Sequence, residues 1–111
     1  LGEAWKAWTG LPFVYACWMC RAERAAERPI RTCAALLDYQ RRRNLLRTQW
    51  LIDRAVEQRR WPRDLATRYV TEYLRYEIGP PQRRAVERFL TECAGLGLLP
   101  FRPALWADLE E

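Results

Sequence analysis

Leu1, Trp5 and Trp8 recur at intervals of four and three, the period of one helix face, so the chain opens with a helix over 2–8. Thr9-Gly10 ends it, with Gly10 suited to the left-handed C-cap position. Pro12 then turns the backbone toward extended geometry. Phe13, Val14, Tyr15 and Trp18 read as a strand over 13–18, rich in β-branched and aromatic residues and apolar on both faces. A strand of that kind belongs inside a sheet covered on both sides. No second comparable strand follows, and a lone buried strand leaves its backbone donors and acceptors unpaired. The pattern therefore predicts partner strands outside these residues.

Beyond the strand the period changes. Arg21 to Arg31 reads as a charged loop containing Pro29. From Thr32 to Arg60 the pattern is helical, in two segments, the first marked by Leu36 and Leu37 and the second by a stripe of Leu45, Leu46, Ile52 and Val56. Pro62 fits the first position of another helix, with Asp64 in its first turn and Leu65, Ala66, Tyr69, Val70, Tyr73 and Leu74 along one face. Gly79-Pro80-Pro81 breaks that helix, and a last one carries Ala85, Val86, Phe89, Leu90, Cys93 and Ala94 before Gly95 and Gly97. The expected organisation is a helix-turn-strand over 1–20, a helical region over 32–97 and an irregular tail over 98–111. Phe101, Leu105 and Trp106 are expected to pack that tail back. The fold class so read is mainly α with one buried β-strand.

Composition narrows the classes. The 111 residues suit one domain, and 50% apolar content with six Trp excludes an intrinsically disordered chain. The longest largely apolar run, 11–20, is far shorter than the roughly 20 residues of a membrane span, so no membrane partner is expected. There is no His and no Ser, which removes His bases, His metal ligands and serine nucleophiles. The chain starts at Leu1, inside an ordered segment, and its one Met is Met19, which predicts a piece of something longer.

Cys17 and Cys20 are spaced C-x-x-C, with Cys33 and Cys93 far away. A four-cysteine zinc site shows two such knuckles, and side chains three apart on a strand face opposite ways. No metal site is expected; the cysteines read as reduced apolar fillers. The net charge is +5, and the densest cations are Arg41, Arg42, Arg43 and Arg47, with Arg59, Arg60 and Arg63 beyond. Acids are interspersed, with Asp38 near Arg41 and Arg42, Glu57 near Arg60, and Asp64 near Arg68, at helical ion-pair spacing. A solvated face accounts for this charge, and nucleic acid is not the expected partner. An Arg-rich helical module for nucleic acid or another anion stays open as an alternative.

The segment Leu1-Gly2-Glu3-Ala4-Trp5, then Trp8-Thr9-Gly10-Leu11-Pro12-Phe13-Val14-Tyr15-Ala16 and Trp18, resembles the Leu-Gly-x-x-Trp and Thr-Gly-Leu-Pro-Phe-Val-Phe-Ala-x-Trp signature of the menaquinone-biosynthesis family. Within it the aromatic run is closer to chorismate dehydratase than to the naphthoate synthase branch. Tyr69 through Tyr76, Glu77-Ile78-Gly79-Pro80, Phe89 and Gly95-Leu96-Gly97-Leu98-Leu99 are similar to the family's closing helices. Cys17, Met19 and Cys20 depart from it, standing where the family more often has small or aliphatic residues.

The resemblance implies a two-lobed α/β fold like type II periplasmic binding proteins, of which these residues are the C-terminal portion. It implies dehydration of chorismate to 3-[(1-carboxyvinyl)oxy]benzoate in the futalosine route to menaquinone, in the cytoplasm and without cofactor. No catalytic residue carries over. Thr9, Gly10, Leu11 and Pro12 are the expected substrate-binding residues, Gly for close backbone approach and Thr for its hydroxyl and N–H. A binding protein of the same fold without chemistry is the second alternative.

Overall fold

A computed structural model describes residues 1–107, and every regular element among them is helical. These are α1 (Gly2–Thr9), α2 (Arg28–Leu45), α3 (Thr48–Arg59), α4 (Arg63–Arg68) and α5 (Pro80–Gly95). A 3₁₀ turn covers Ala22–Arg24, and a π-helical turn over Tyr69–Tyr73 continues α4. Two compact units result. Of the described residues, one joins Leu1–Ala25 to 78–107; the other is Ala26–Glu77.

The expected α/β class is overturned. Among the described residues there is no strand and no sheet, so neither the buried strand over 13–18 nor the two-lobed α/β architecture is present. The residues from Leu11 to Arg21 run as irregular chain between α1 and the 3₁₀ turn. The reason is the one that made the strand awkward from the start. β-Propensity expresses how well a side chain fits a pleated, half-buried surface, and without a neighbouring strand that surface does not exist. An unpaired extended segment leaves its amides and carbonyls to water. Phe13 and Val14 stay half-buried against other elements, while Tyr15, Trp18 and Met19 are exposed.

Helix boundaries follow local chemistry. Helix α2 begins at Arg28, inside the expected loop, because Pro29 lies in its first turn, where a missing N–H costs nothing. Gly79-Pro80-Pro81 separates two helices by starting the second. Gly79 is the N-cap of α5, its N–H donates to Gln82 Oε1 at 3.1 Å, and Pro80 is the first helical residue. Leu45 and Leu46 do not join the α3 stripe: Leu45 closes α2 and Leu46 sits in the break, almost wholly exposed.

Few side chains are buried. Trp5 and Ala85 are buried in the first unit, Ile52 and Ala66 in the second. Within the second unit α3 packs on α4 and α2. Of the three tryptophans in the opening segment, Trp5 is buried while Trp8 and Trp18 are exposed. In the tail, Trp106 is half-buried, with the Arg83 guanidinium 5.0 Å from its ring centre, and Phe101 and Leu105 are exposed. Residues 108–111 of the expected tail lie outside the described residues.

Helix α3 ends on an unusual residue. Arg60 has φ 54°, the left-handed conformation, and its N–H closes on Val56 O at 2.9 Å. A side chain with a Cβ is strained there, by roughly 1–2 kcal/mol, and glycine is not. Arg60→Gly should raise stability by about 0.5–1 kcal/mol after the extra flexibility of glycine in the unfolded chain is counted. Urea titration checks this through a higher midpoint at unchanged slope.

Candidate functional site

Gly10 sits just past α1 with φ 72°, the left-handed conformation that glycine accepts at little cost, and its N–H donates to Lys6 O at 2.8 Å. The Thr9 hydroxyl donates to Trp5 O at 2.8 Å and accepts from the Leu11 N–H at 3.2 Å. The Trp5 indole Nε1 donates to Pro12 O at 3.1 Å. The four residues singled out in the sequence, Thr9, Gly10, Leu11 and Pro12, thus form one turn knitted to α1. Its N–H donors and the Thr9 hydroxyl proton are used within the turn and helix, which leaves carbonyl oxygens as its remaining polar groups. Gly10 is exposed and the other three are half-buried.

The turn delivers Phe13 into an aromatic cluster. Trp5 meets Trp8, Phe13 and Phe89 edge to face at centroid distances of 5.6, 6.0 and 5.8 Å, and Phe13 meets Tyr15 at 4.8 Å and Phe89 at 6.1 Å. This geometry sets the positive ring edge against the negative face. Gly2 is part of the same fit, since a Cβ there would come within 2.5 Å of the Tyr15 hydroxyl. Beside the cluster lies a cavity of 420 Å³, walled by Trp5, Phe13–Cys17 and Met19 on one side and by Ala85, Val86, Phe89 and Leu90 of α5 on the other. Among the described residues, Tyr15 and Cys17 are its titratable walls, and no carboxylate or cation lines it for acid–base work. The cavity can take an apolar ring.

A family comparison fits this picture. The family model described as menaquinone biosynthesis matches residues 1–95, which include α1, the turn, the aromatic segment and all of α5. The chain belongs to the menaquinone biosynthesis family. No solved structure matches it. The match spans both walls of the cavity, so membership in this family and the aromatic cluster rest on the same stretch of chain.

The family member's charge is distributed unevenly. Residues 26–77 carry twelve Arg against seven Asp and Glu, and the rest of the chain carries seven cations against seven acids, so the whole excess lies in 26–77. Asp38 accepts from Arg41 Nε and Nη2 at 3.0 and 2.8 Å and pairs with Arg42 at 3.1 Å; Arg41 also donates to Glu77 at 2.8 Å. The Glu57–Arg60 and Asp64–Arg68 pairs do not form among the described residues. Arg60 has left helical register, and Arg68 lies 5.7 Å from the centre of the Tyr73 ring. Asp53 instead pairs with Arg63, on the rim of an open 840 Å³ recess that includes Trp50, Arg54 and Glu57. Arg47 and Arg54 both approach the Trp50 ring, at 5.1 and 5.5 Å. The sequence reading passed over this stack, although the spacing of three and four residues around an exposed Trp signals it.

Cys17, Cys20 and Cys33 are exposed and Cys93 is half-buried, all of them free thiols, so three of the four do not fill apolar space as expected. Among the described residues no group of three or more His, Cys, Asp or Glu is placed to hold a metal ion, and no helix is long and apolar enough to cross a membrane.

The hydrogen bond from Arg41 holds the Asp38 carboxyl below the usual carboxylate range, with the Arg41 and Arg42 charges adding to it. Because the folded value is depressed, the stabilisation is complete above the ordinary value and is lost as the pH falls through the folded one. Stability should therefore decline below about pH 4, and Asp38→Asn should flatten that part of the curve. Denaturant titrations from neutral to acid pH on both proteins check this; parallel curves would refute it.

Proposed function

We propose that this member of the menaquinone biosynthesis family serves the dehydration of chorismate to 3-[(1-carboxyvinyl)oxy]benzoate in the cytoplasm, as the C-terminal portion of a longer enzyme. The observation that carries the reading is the continuous match over residues 1–95, whose opening segment holds the Thr9-Gly10-Leu11-Pro12-Phe13 turn. Loss of the ring hydroxyl together with a ring hydrogen makes the chorismate ring aromatic, so the enzyme's task is to orient the ring and move one proton. In this reading the 420 Å³ cavity receives the ring, and the turn, which is not itself part of the lining, leads directly into Phe13 of its wall. A turn whose N–H donors are spent and whose carbonyls remain suits a substrate hydroxyl better than a carboxylate. Among the described residues the cavity walls hold no carboxylate, His or Lys, so in this reading the group that moves the proton comes from another part of the enzyme.

The test is incubation of chorismate with the protein encoded by the complete reading frame, followed by chromatography. Conversion to 3-[(1-carboxyvinyl)oxy]benzoate is expected. Chorismate recovered unchanged would refute the reaction; saturable binding without turnover would select a small-acid-binding protein.

A further inference from the structure

We propose that Cys17 and Cys20 form a reversible dithiol–disulfide site that exchanges with small-molecule disulfides of the glutathione class. This is independent of the chorismate reading. The C-x-x-C spacing counts against such a pair only if the segment is a strand, which turns the two thiols to opposite faces. The structure removes that objection. Residues 11–21 are irregular, and among the described residues no backbone–backbone hydrogen bond ties 13–20 to any element. Both cysteines are exposed, and so are Trp18 and Met19 between them, at 83% and 87%. No core packing and no ladder therefore resists a bend there.

A disulfide requires the two Cα atoms to lie roughly 4.4–6.8 Å apart, against about 10 Å across three residues of extended chain, so closure folds Cys17–Cys20 into a tight turn. Cys33 is also exposed but sits on α2 with no C-x-x-C neighbour, which makes it the internal control.

The chemistry balances in two exchanges. One cysteine loses its proton to solvent and its thiolate attacks a sulfur of the small disulfide. That S–S bond breaks, and the departing thiolate takes a proton to leave as thiol. The second cysteine, likewise deprotonated, attacks the protein sulfur of the mixed disulfide. The Cys17–Cys20 bond forms, and a second small thiol departs with a proton. Two protein thiols are oxidised and one disulfide is reduced to two thiols. Cys17 and Met19 both line the 420 Å³ cavity, so closure rebuilds part of its wall.

The test equilibrates the protein with reduced and oxidised glutathione over a series of ratios, quenches with acid, alkylates free thiols and maps peptides by mass spectrometry. The expected result is a Cys17–Cys20 disulfide, half-formed at a ratio at least about tenfold more reducing than the one that modifies Cys33. In Cys20→Ala, Cys17 should instead carry glutathione. The proposal fails if Cys17, Cys20 and Cys33 acquire glutathione alike, if either cysteine pairs with Cys33 or with another chain, or if Cys17 in the Cys20→Ala protein stays a thiol throughout.

Discussion

Trp5→Ala is expected to cost about 3–5 kcal/mol of folding stability, the range for removing a large buried aromatic. Trp5 is 8% exposed and is the hub of the aromatic cluster, touching Trp8, Phe13 and Phe89. Its loss removes three edge-to-face contacts and opens a void that α1 and α5 have few other buried groups to fill. It also removes the indole donor that holds Pro12 O. Against a typical total of about 5–15 kcal/mol, this is enough to unfold a marginal protein. Trp5→Phe separates the contributions, because it keeps a ring and loses only the N–H and some area. It should cost about 1–2 kcal/mol, the size of an unmade hydrogen bond plus partial packing loss. Urea titration of the three proteins decides. A Trp5→Ala cost below about 1 kcal/mol would mean that the cluster does not hold this part of the fold.

That hub shows what a sequence can and cannot disclose. The spacing of Leu1, Trp5 and Trp8 gives α1, and Gly10 after Thr9 gives its left-handed end, because both depend on neighbours within a few residues. Phe89 as a partner of Trp5 was not legible, since the two are far apart in the chain and no local rule links them. The segment from Phe13 to Trp18 misled for a related reason. Its residues suit a strand, but a strand is a property of a pair, and the pairing partner decides. In the turn, the Thr9 and Gly10 chemistry was visible in residue type. That the Thr9 hydroxyl is engaged by Trp5 O and the Leu11 N–H was not, because that depends on how the chain leaves α1. The ion pairs divide in the same way. Asp38 with Arg41 and Arg42 lies within one uninterrupted helix and forms at helical spacing, whereas Glu57 and Arg60 straddle a helix end and do not.

Ile52→Ala should cost about 2–3 kcal/mol, toward the lower end of the range for truncating a buried aliphatic side chain. Ile52 is 3% exposed on α3, the helix that packs on both α4 and α2. Helix propensity keeps the cost from the top of the range, because alanine is the better helix former by a few tenths of a kcal/mol. Ile52→Val removes one methylene and should cost about 0.5–1.5 kcal/mol. The discriminating comparison is Leu46→Ala, which deletes an equally apolar side chain that is 91% exposed in the break after α2 and should stay within about 0.5 kcal/mol of the parent. If apolarity alone set the cost, Leu46 and Ile52 would give the same value. If burial sets it, only Ile52 matters, and denaturant titration of the three variants beside the parent reads the difference directly.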